Sequence, residues 1–156
     1  MKNTWLIALL GLLLATGAFA PVPASAAPNY GAAGAVALAD SELTTGAMLT
    51  FALQDEYLAR AEYQKILEKF GQRRPFSNII KAEEQHIAWL VPLFGKYGVP
   101  LPPDRGPELA EVPPTFDEAL QAGGDAEIDN IGMYERFLSR ELPDDVRAVF
   151  EHLLTG

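Results

Sequence analysis

Three glutamates and one histidine interrupt the apolar stripes of predicted helices: Glu56, Glu83, His86 and Glu127. Steps of three or four residues along each stripe, which keep to one helix face, arrive at each of these side chains. Glu83 and His86 are three residues apart, so they are neighbours on the same face. Carboxylate and imidazole groups are common ligands of divalent transition metals. The pattern therefore predicts an inward cluster with metal-binding chemistry.

Such a cluster needs a positive charge to neutralise it. Burying an unpaired carboxylate costs on the order of several kcal/mol, and neighbouring carboxylates also repel one another. The basic residues of the same helices lie off the apolar stripes: Arg60, Lys65, Lys69 and Lys81. A divalent cation is therefore the expected partner. A mixed Glu and His shell suits iron, manganese or zinc better than calcium, which prefers oxygen ligands.

Other polar residues near these positions have simpler explanations. Tyr63 and Tyr134 each follow a candidate glutamate by seven residues. We interpret both as core residues with hydrogen-bonded hydroxyls, and a redox role beside a metal is the alternative. We expect the remaining acidic residues of the first two helices to form a solvated face: Asp55, Glu62, Glu68 and Glu84.

Two long helices and a crossover are predicted for the first part of the domain. Residues 43–70 contain good helix formers without proline and are followed by Gly71, so they predict one long helix. A second helix is predicted between Pro75 and Gly98, which are typical of a helix start and a helix end. Residues 100–114 are rich in proline and too long for a hairpin, so they predict a crossover along the outside of a bundle.

The second part predicts shorter helices. Thr115 and Glu118 form a capping-box pattern for a short helix that ends at Gly123-Gly124. A third main helix is predicted over 125–139, with Ile131, Tyr134 and Leu138 facing inward. A fourth begins at Pro143, with Val146, Val149, Phe150 and Leu153 facing inward. It is shorter than the others, and Glu151 and His152 lie off its apolar stripe, so we expect both to face solvent.

The N-terminal segment predicts export. Residues 1–26 contain an apolar run and end in Ala24-Ser25-Ala26, a small-x-small cleavage pattern. An uncleaved anchor is the less favoured alternative, because the run is shorter than the roughly 20 apolar residues of a membrane span. We expect residues 27–40 to form a flexible leader, residues 41–156 to form one domain, and the protein to be periplasmic or secreted.

Composition limits the possible functions. The chain has no cysteine, which excludes disulfides, thiolate catalysis and cysteine-ligated metal or iron–sulfur sites. The formal net charge is −9, which argues against nucleic acid and anionic membranes as partners. The partners we expect are metal ions and, for redox chemistry, an external electron donor. Self-association stays open.

The pattern resembles the ferritin-like di-metal carboxylate bundles, which include ferritins and rubrerythrins, and most closely an exported bacterial branch of them. The segments that carry the resemblance are Glu56 with Tyr63, the run 76–79, the Glu83-x-x-His86 motif, and Glu127 with Tyr134. The resemblance implies an all-α, ferritin-like four-helix bundle with a long crossover between helices 2 and 3 and a shortened fourth helix.

The resemblance also implies roles for the four candidate ligands. Glu56 and Glu127 would each bind one metal, Glu83 would bridge the two metals, and His86 would cap one. The family usually has further ligands on the fourth helix, which this chain lacks, so the number of ions is one or two, or none if the site is degenerate. The implied function is an iron oxidoreductase acting on dioxygen or peroxide. The alternative is a non-catalytic helical envelope module with a degenerate or passive metal site.

Overall fold

The computed structural model describes residues 29–155. The predicted secretion signal, residues 1–26, lies outside this range. The described part of the chain is entirely helical, with no strand. None of its helices combines the length and apolar character needed to cross a membrane.

Six α-helices form the structure between residues 29 and 155. They are α1 (Gly31–Ala37), α2 (Thr45–Phe70), α3 (Phe76–Tyr97), α4 (Gly106–Leu109), α5 (Phe116–Leu138) and α6 (Asp144–Thr155), with a short 3₁₀ turn at Asp40–Glu42. Helix α2 contacts α1, α3, α4 and α5, so it is the central element. The predicted all-α class is confirmed.

The ends of the long helices follow their sequence signals. The Thr44 side chain accepts a hydrogen bond from the Ala47 amide and caps α2. Helix α3 ends at Gly98, which has a φ of 64° and supplies the left-handed conformation of a helix C-terminus. The predicted capping box is also present, because Thr115 and Glu118 exchange side-chain to backbone hydrogen bonds at the start of α5.

The core has two parts. The larger part lies between α2, α3, α5 and α6 and includes Leu53, Leu90, Tyr134 and Phe150, all fully buried. The smaller part lies at the other end of α2 and includes Tyr63, Ile66, Phe76 and Ala119. The predicted ligands Glu56, Glu83 and His86 lie on α2 and α3 between residues of these two groups, so apolar side chains flank them on both sides.

Helix α5 corrects the expectation of a helix end at Gly123-Gly124. It continues through both glycines without interruption. A Cβ atom on Gly123 would lie 3.3 Å from the Phe76 ring, so this glycine lets α5 approach α3 closely. Glycine lowers helix stability by about 1 kcal/mol relative to alanine but does not by itself end a helix.

The predicted flexible leader is also corrected over the described residues. Gly31–Ala37 forms α1, in which Ala32 and Ala35 are buried, and Tyr30 before it is buried too. The Asp55 carboxylate accepts a hydrogen bond from the Ala32 amide, at 2.8 Å. At the other end of α1, Arg136 donates to the Ala35 carbonyl, at 2.7 Å. These long-range contacts fix a segment that has no amphipathic pattern.

Helix α6 is much shorter than α3 and α5. Its inward residues Val146, Phe150 and Leu153 are buried as predicted.

Ile131 of α5, which was expected to face inward, is 41% exposed. Ile131 and the exposed Leu120 lie on the same side of α5 as the partly buried Leu138, which packs against the larger core.

Candidate metal centre

The structure brings three of the four predicted ligands together. His86 Nδ1 lies 3.0 Å from Glu56 Oε2 and 3.3 Å from Glu83 Oε2. One ligand atom from each residue lies within 4.8 Å of the other two. All three side chains are buried, with exposures of 2% for Glu56, 6% for Glu83 and 8% for His86. This Glu56, Glu83 and His86 group is called the carboxylate–histidine cluster below.

The positions of these side chains follow from two long neighbouring helices, α2 and α3. Glu56 projects from the middle of α2, where Ala52 and Leu53 one turn earlier are fully buried. Glu83 and His86 are adjacent on the inward face of α3 because they are three residues apart. The cluster therefore rests on rigid helical backbone and involves no loop residue.

Two members of the metal-free cluster, Glu56 and His86, bind protons tightly. Burial is the largest cause that raises the pKa of Glu56, and the nearby Glu83 adds to it. Burial by itself would lower the pKa of His86, but its hydrogen bonds with Glu56 and Glu83 outweigh burial and raise this pKa well above its usual range. Glu56 and His86 therefore hold their protons more tightly than the same side chains do in water.

The two predicted core tyrosines, Tyr63 of α2 and Tyr134 of α5, each donate a hydrogen bond to a glutamate across the contact between α2 and α5. The Tyr134 hydroxyl of α5 donates to Glu56 Oε1 of α2 at 2.7 Å. The Tyr63 hydroxyl of α2 donates to Glu127 Oε1 of α5 at 3.0 Å. The equal spacing of Glu56 to Tyr63 and of Glu127 to Tyr134 therefore produces a reciprocal pair of contacts between α2 and α5. Both tyrosines are buried, as expected of core residues with bonded hydroxyls.

The fourth predicted ligand, Glu127, is not a member of the carboxylate–histidine cluster. Glu127 is exposed, and its carboxylate accepts a hydrogen bond from the Tyr63 hydroxyl. In the described part of the chain, Phe150 of α6 packs against Tyr134 and Phe137, nearer the C-terminus of α5 than Glu127.

Two acidic residues expected on a solvated face are partly buried. Asp55 accepts hydrogen bonds from the Ala32 amide and, at 2.8 Å, from the Asn130 side chain. Burial raises the pKa of Asp55 to about 6. Burial and the nearby charges of Asp55 and Glu111 raise the pKa of Glu62 to about 7. The contacts with α1 and α5 cover Asp55, whereas Glu68 and Glu84 are exposed as expected.

An aromatic stack, which the sequence analysis did not identify, extends from the cluster to the surface. The Trp89 ring stacks on His86, with 5.8 Å between ring centroids and 29° between planes. The His152 ring of α6 lies 5.7 Å from the Trp89 ring on a plane tilted by 39°. Glu151 and His152 are both exposed, as predicted. The i, i+3 spacing of His86 and Trp89 was a usable signal for the first contact.

The donor set fits a divalent metal ion. Two carboxylates and a neutral imidazole carry two negative charges, which one divalent cation neutralises, and mixed nitrogen and oxygen donors suit first-row transition metals. The buried cluster can therefore hold a metal ion. Three protein donors would also leave coordination positions open to water or a substrate.

Comparison of the chain with protein-family models, curated proteins and solved structures found no match.

Proposed function

We propose that this chain is an exported, ferritin-like protein that binds one redox-active metal ion, iron, at Glu56, Glu83 and His86, and reacts with dioxygen or peroxide. The single observation that carries the proposal is the convergence of three buried ligand atoms within 4.8 Å. The two carboxylates are buried beside an imidazole whose positive charge, when protonated, offsets only one of them. A divalent ion that displaces this proton and binds the neutral imidazole offsets both.

The ferritin-like part of the proposal is supported by the order and roles of the long helices. Helices α2 and α3 provide Glu56 and the Glu83-x-x-His86 motif, and a proline-rich connection precedes α5. The Tyr134 hydroxyl of α5 donates a hydrogen bond to Glu56 of α2. The Tyr63 hydroxyl of α2 donates a hydrogen bond to Glu127 of α5. This reciprocal arrangement fits two related halves that each contribute a glutamate and a tyrosine.

The residues around the cluster would determine how a bound ion reacts. Bound iron supplies one-electron redox chemistry toward an oxidant at its open positions. The Tyr134 hydroxyl holds Glu56 Oε1, which leaves Glu56 Oε2 on the His86 side for the ion. The buried side chains of α2 and α3 around the cluster limit the access of water.

One ion per chain is the stoichiometry that the donors favour. A second ion about 3.5–4 Å away would need donors of its own. Glu127 is outside the cluster, and Glu151 and His152 of α6 are exposed. One ion lies within the range that the resemblance implies, which is one or two ions, or none if the site is degenerate.

Metal analysis under anaerobic conditions tests the proposal. Protein exported from cells and titrated with Fe(II) should bind about one ion per chain, and Glu83→Gln should reduce the affinity at least tenfold. Glu84→Gln is the matched control, because Glu84 is the exposed neighbour on the same helix. The absence of iron, manganese and zinc binding in the unmodified protein would overturn the proposal and favour a non-catalytic scaffold.

A second variant separates ligand loss from unfolding. His86→Ala should abolish binding of the ion while the helical circular-dichroism signal stays unchanged. Burial raises the pKa of Glu56, so this carboxyl can stay protonated without its imidazole partner, and we expect the variant to fold with reduced stability. Retention of a tightly bound ion in His86→Ala would show that the metal binds elsewhere.

A further inference from the structure

Trp89 occupies an unusual position for a large aromatic side chain. It is 40% exposed, although the large aromatic residues of the nearby core, such as Tyr134 and Phe150, are fully buried. One part of the indole contacts the ring of His86, a buried proposed ligand, and another contacts the ring of the exposed His152. Burying the rest of a tryptophan would add hydrophobic stabilisation. Its partly exposed position instead connects the cluster to the surface.

The three rings form a continuous path. Ring centroids 5.8 Å and 5.7 Å apart are within the range of aromatic contacts, so the rings touch at each step. The path begins at a side chain that is 8% exposed and ends at an exposed residue of another helix. The contact between Trp89 of α3 and His152 of α6 joins these two helices beside the cluster.

From this geometry we infer that the stack His86, Trp89 and His152 carries single electrons between a one-electron donor at the surface and the ion in the cluster. The inference rests on the proposed function, because it needs a redox-active ion. In each transfer the external donor loses one electron, the oxidised ion gains it, and the three side chains are unchanged. The donor is a separate redox protein or small redox complex, since the chain has no cysteine with which to hold an iron–sulfur centre of its own.

The charge of the protein indicates which electron donors are favoured at the outer end of the stack, His152. The chain has a net charge of −9, and Glu151 adjoins His152 at the outer end of the stack. An acidic surface increases the encounter rate with cationic partners, and salt reduces this effect. We expect a donor with a positively charged contact face, and reduction that slows as ionic strength rises.

Flash photolysis with a cationic ruthenium polypyridyl complex tests the electron path. The exported protein is loaded with one Fe(III), and the excited complex donates one electron, so that Ru(II) becomes Ru(III) and Fe(III) becomes Fe(II). Transient absorbance gives the reduction rate without any turnover. Trp89→Leu should slow reduction by at least an order of magnitude, His152→Ala should slow it less, and Trp89→Phe, which keeps a ring, should recover part of the rate.

Iron stoichiometry and thermal unfolding are measured for each variant, so that a structural effect is recognised. Val91→Ala is the matched control, because Val91 is an exposed residue of the same helix. An unchanged rate in iron-loaded Trp89→Leu would overturn the electron path and leave the proposed function intact. Failure of the unmodified protein to bind iron would overturn both.

Discussion

At the residue scale, the cluster is defined by what its carboxylates contact. Glu56 accepts from Tyr134 through one oxygen and faces His86 with the other, so both oxygens have partners before any metal binds. The raised pKa values of Glu56 and His86 mean that protons occupy this site in the metal-free protein. Metal ions and protons must therefore compete for the same atoms.

Metal binding should release protons. His86 and Glu56 both have raised pKa values, so at pH 7 the metal-free cluster holds at least one proton that a divalent ion displaces. Affinity should accordingly increase as pH rises from 6 to 8. Isothermal titration calorimetry in buffers of different ionisation enthalpy measures the number of protons released, and a value of zero would contradict this protonation state.

The two tyrosines should differ in their contribution. Tyr134→Phe removes the donor to the buried Glu56, so we expect a loss of about 1–2 kcal/mol in the free energy of unfolding, together with weaker metal binding. Tyr63→Phe is the matched comparison, because its partner Glu127 is exposed and can bond to water instead. Chemical denaturation and metal titration measure both effects. Equal losses in the two variants would show that the burial of Glu56 does not matter.

At the element scale, α5 depends on two adjacent glycines in different surroundings. A Cβ on Gly123 would lie 3.3 Å from the Phe76 ring, whereas a Cβ on Gly124 would meet no atom within 4 Å. A side chain at the first position would crowd the Phe76 ring, whereas the second glycine only reduces helix stability.

Alanine substitutions should separate these two roles. Gly124→Ala should stabilise the protein by roughly 0.5–1 kcal/mol, because alanine is the better helix former and the site is open. Gly123→Ala has the same helix gain but must displace the Phe76 ring, so its net effect should be smaller or destabilising. Thermal unfolding of both variants checks the difference. A larger gain from Gly123→Ala would contradict the packing argument.

At the scale of the whole molecule, burial of acidic residues makes stability depend on pH. Burial raises the pKa of Asp55 to about 6 and that of Glu62 to about 7. The ordinary pKa values of these side chains are 3.8 and 4.5, so between the ordinary and the folded values the folded protein binds more protons than the unfolded chain. The free energy of unfolding must therefore fall as pH rises through this window.

The metal-free protein should be more stable at pH 5 than at pH 8. Asp55→Asn keeps an oxygen acceptor for the Ala32 amide but removes the charge, so it should flatten this pH dependence and raise stability at pH 8 by about 1–2 kcal/mol. Urea denaturation at both pH values measures the change. Glu68→Gln, at an exposed position, should leave the profile as it is. Equal stability of the unmodified protein at the two pH values would contradict the assignment.

The sequence by itself determined α2, α3 and α6 and the three members of the cluster. Periodicity and local end signals are properties of neighbouring residues, which is why α2, α3 and α6 and the inward positions of Glu56, Glu83 and His86 were predictable. The capping box of Thr115 and Glu118 was predictable for the same reason.

Only the tertiary structure decided features that depend on distant segments. Helix α1 is fixed by contacts with Asp55 and Arg136, and the continuity of α5 through Gly123 accompanies close packing against Phe76. The exposure of Glu127 and Ile131 depends on where the short α6 lies. The same placement puts His152 against Trp89. Burial and contact across helices depend on the whole packing, and no local pattern of residues records them.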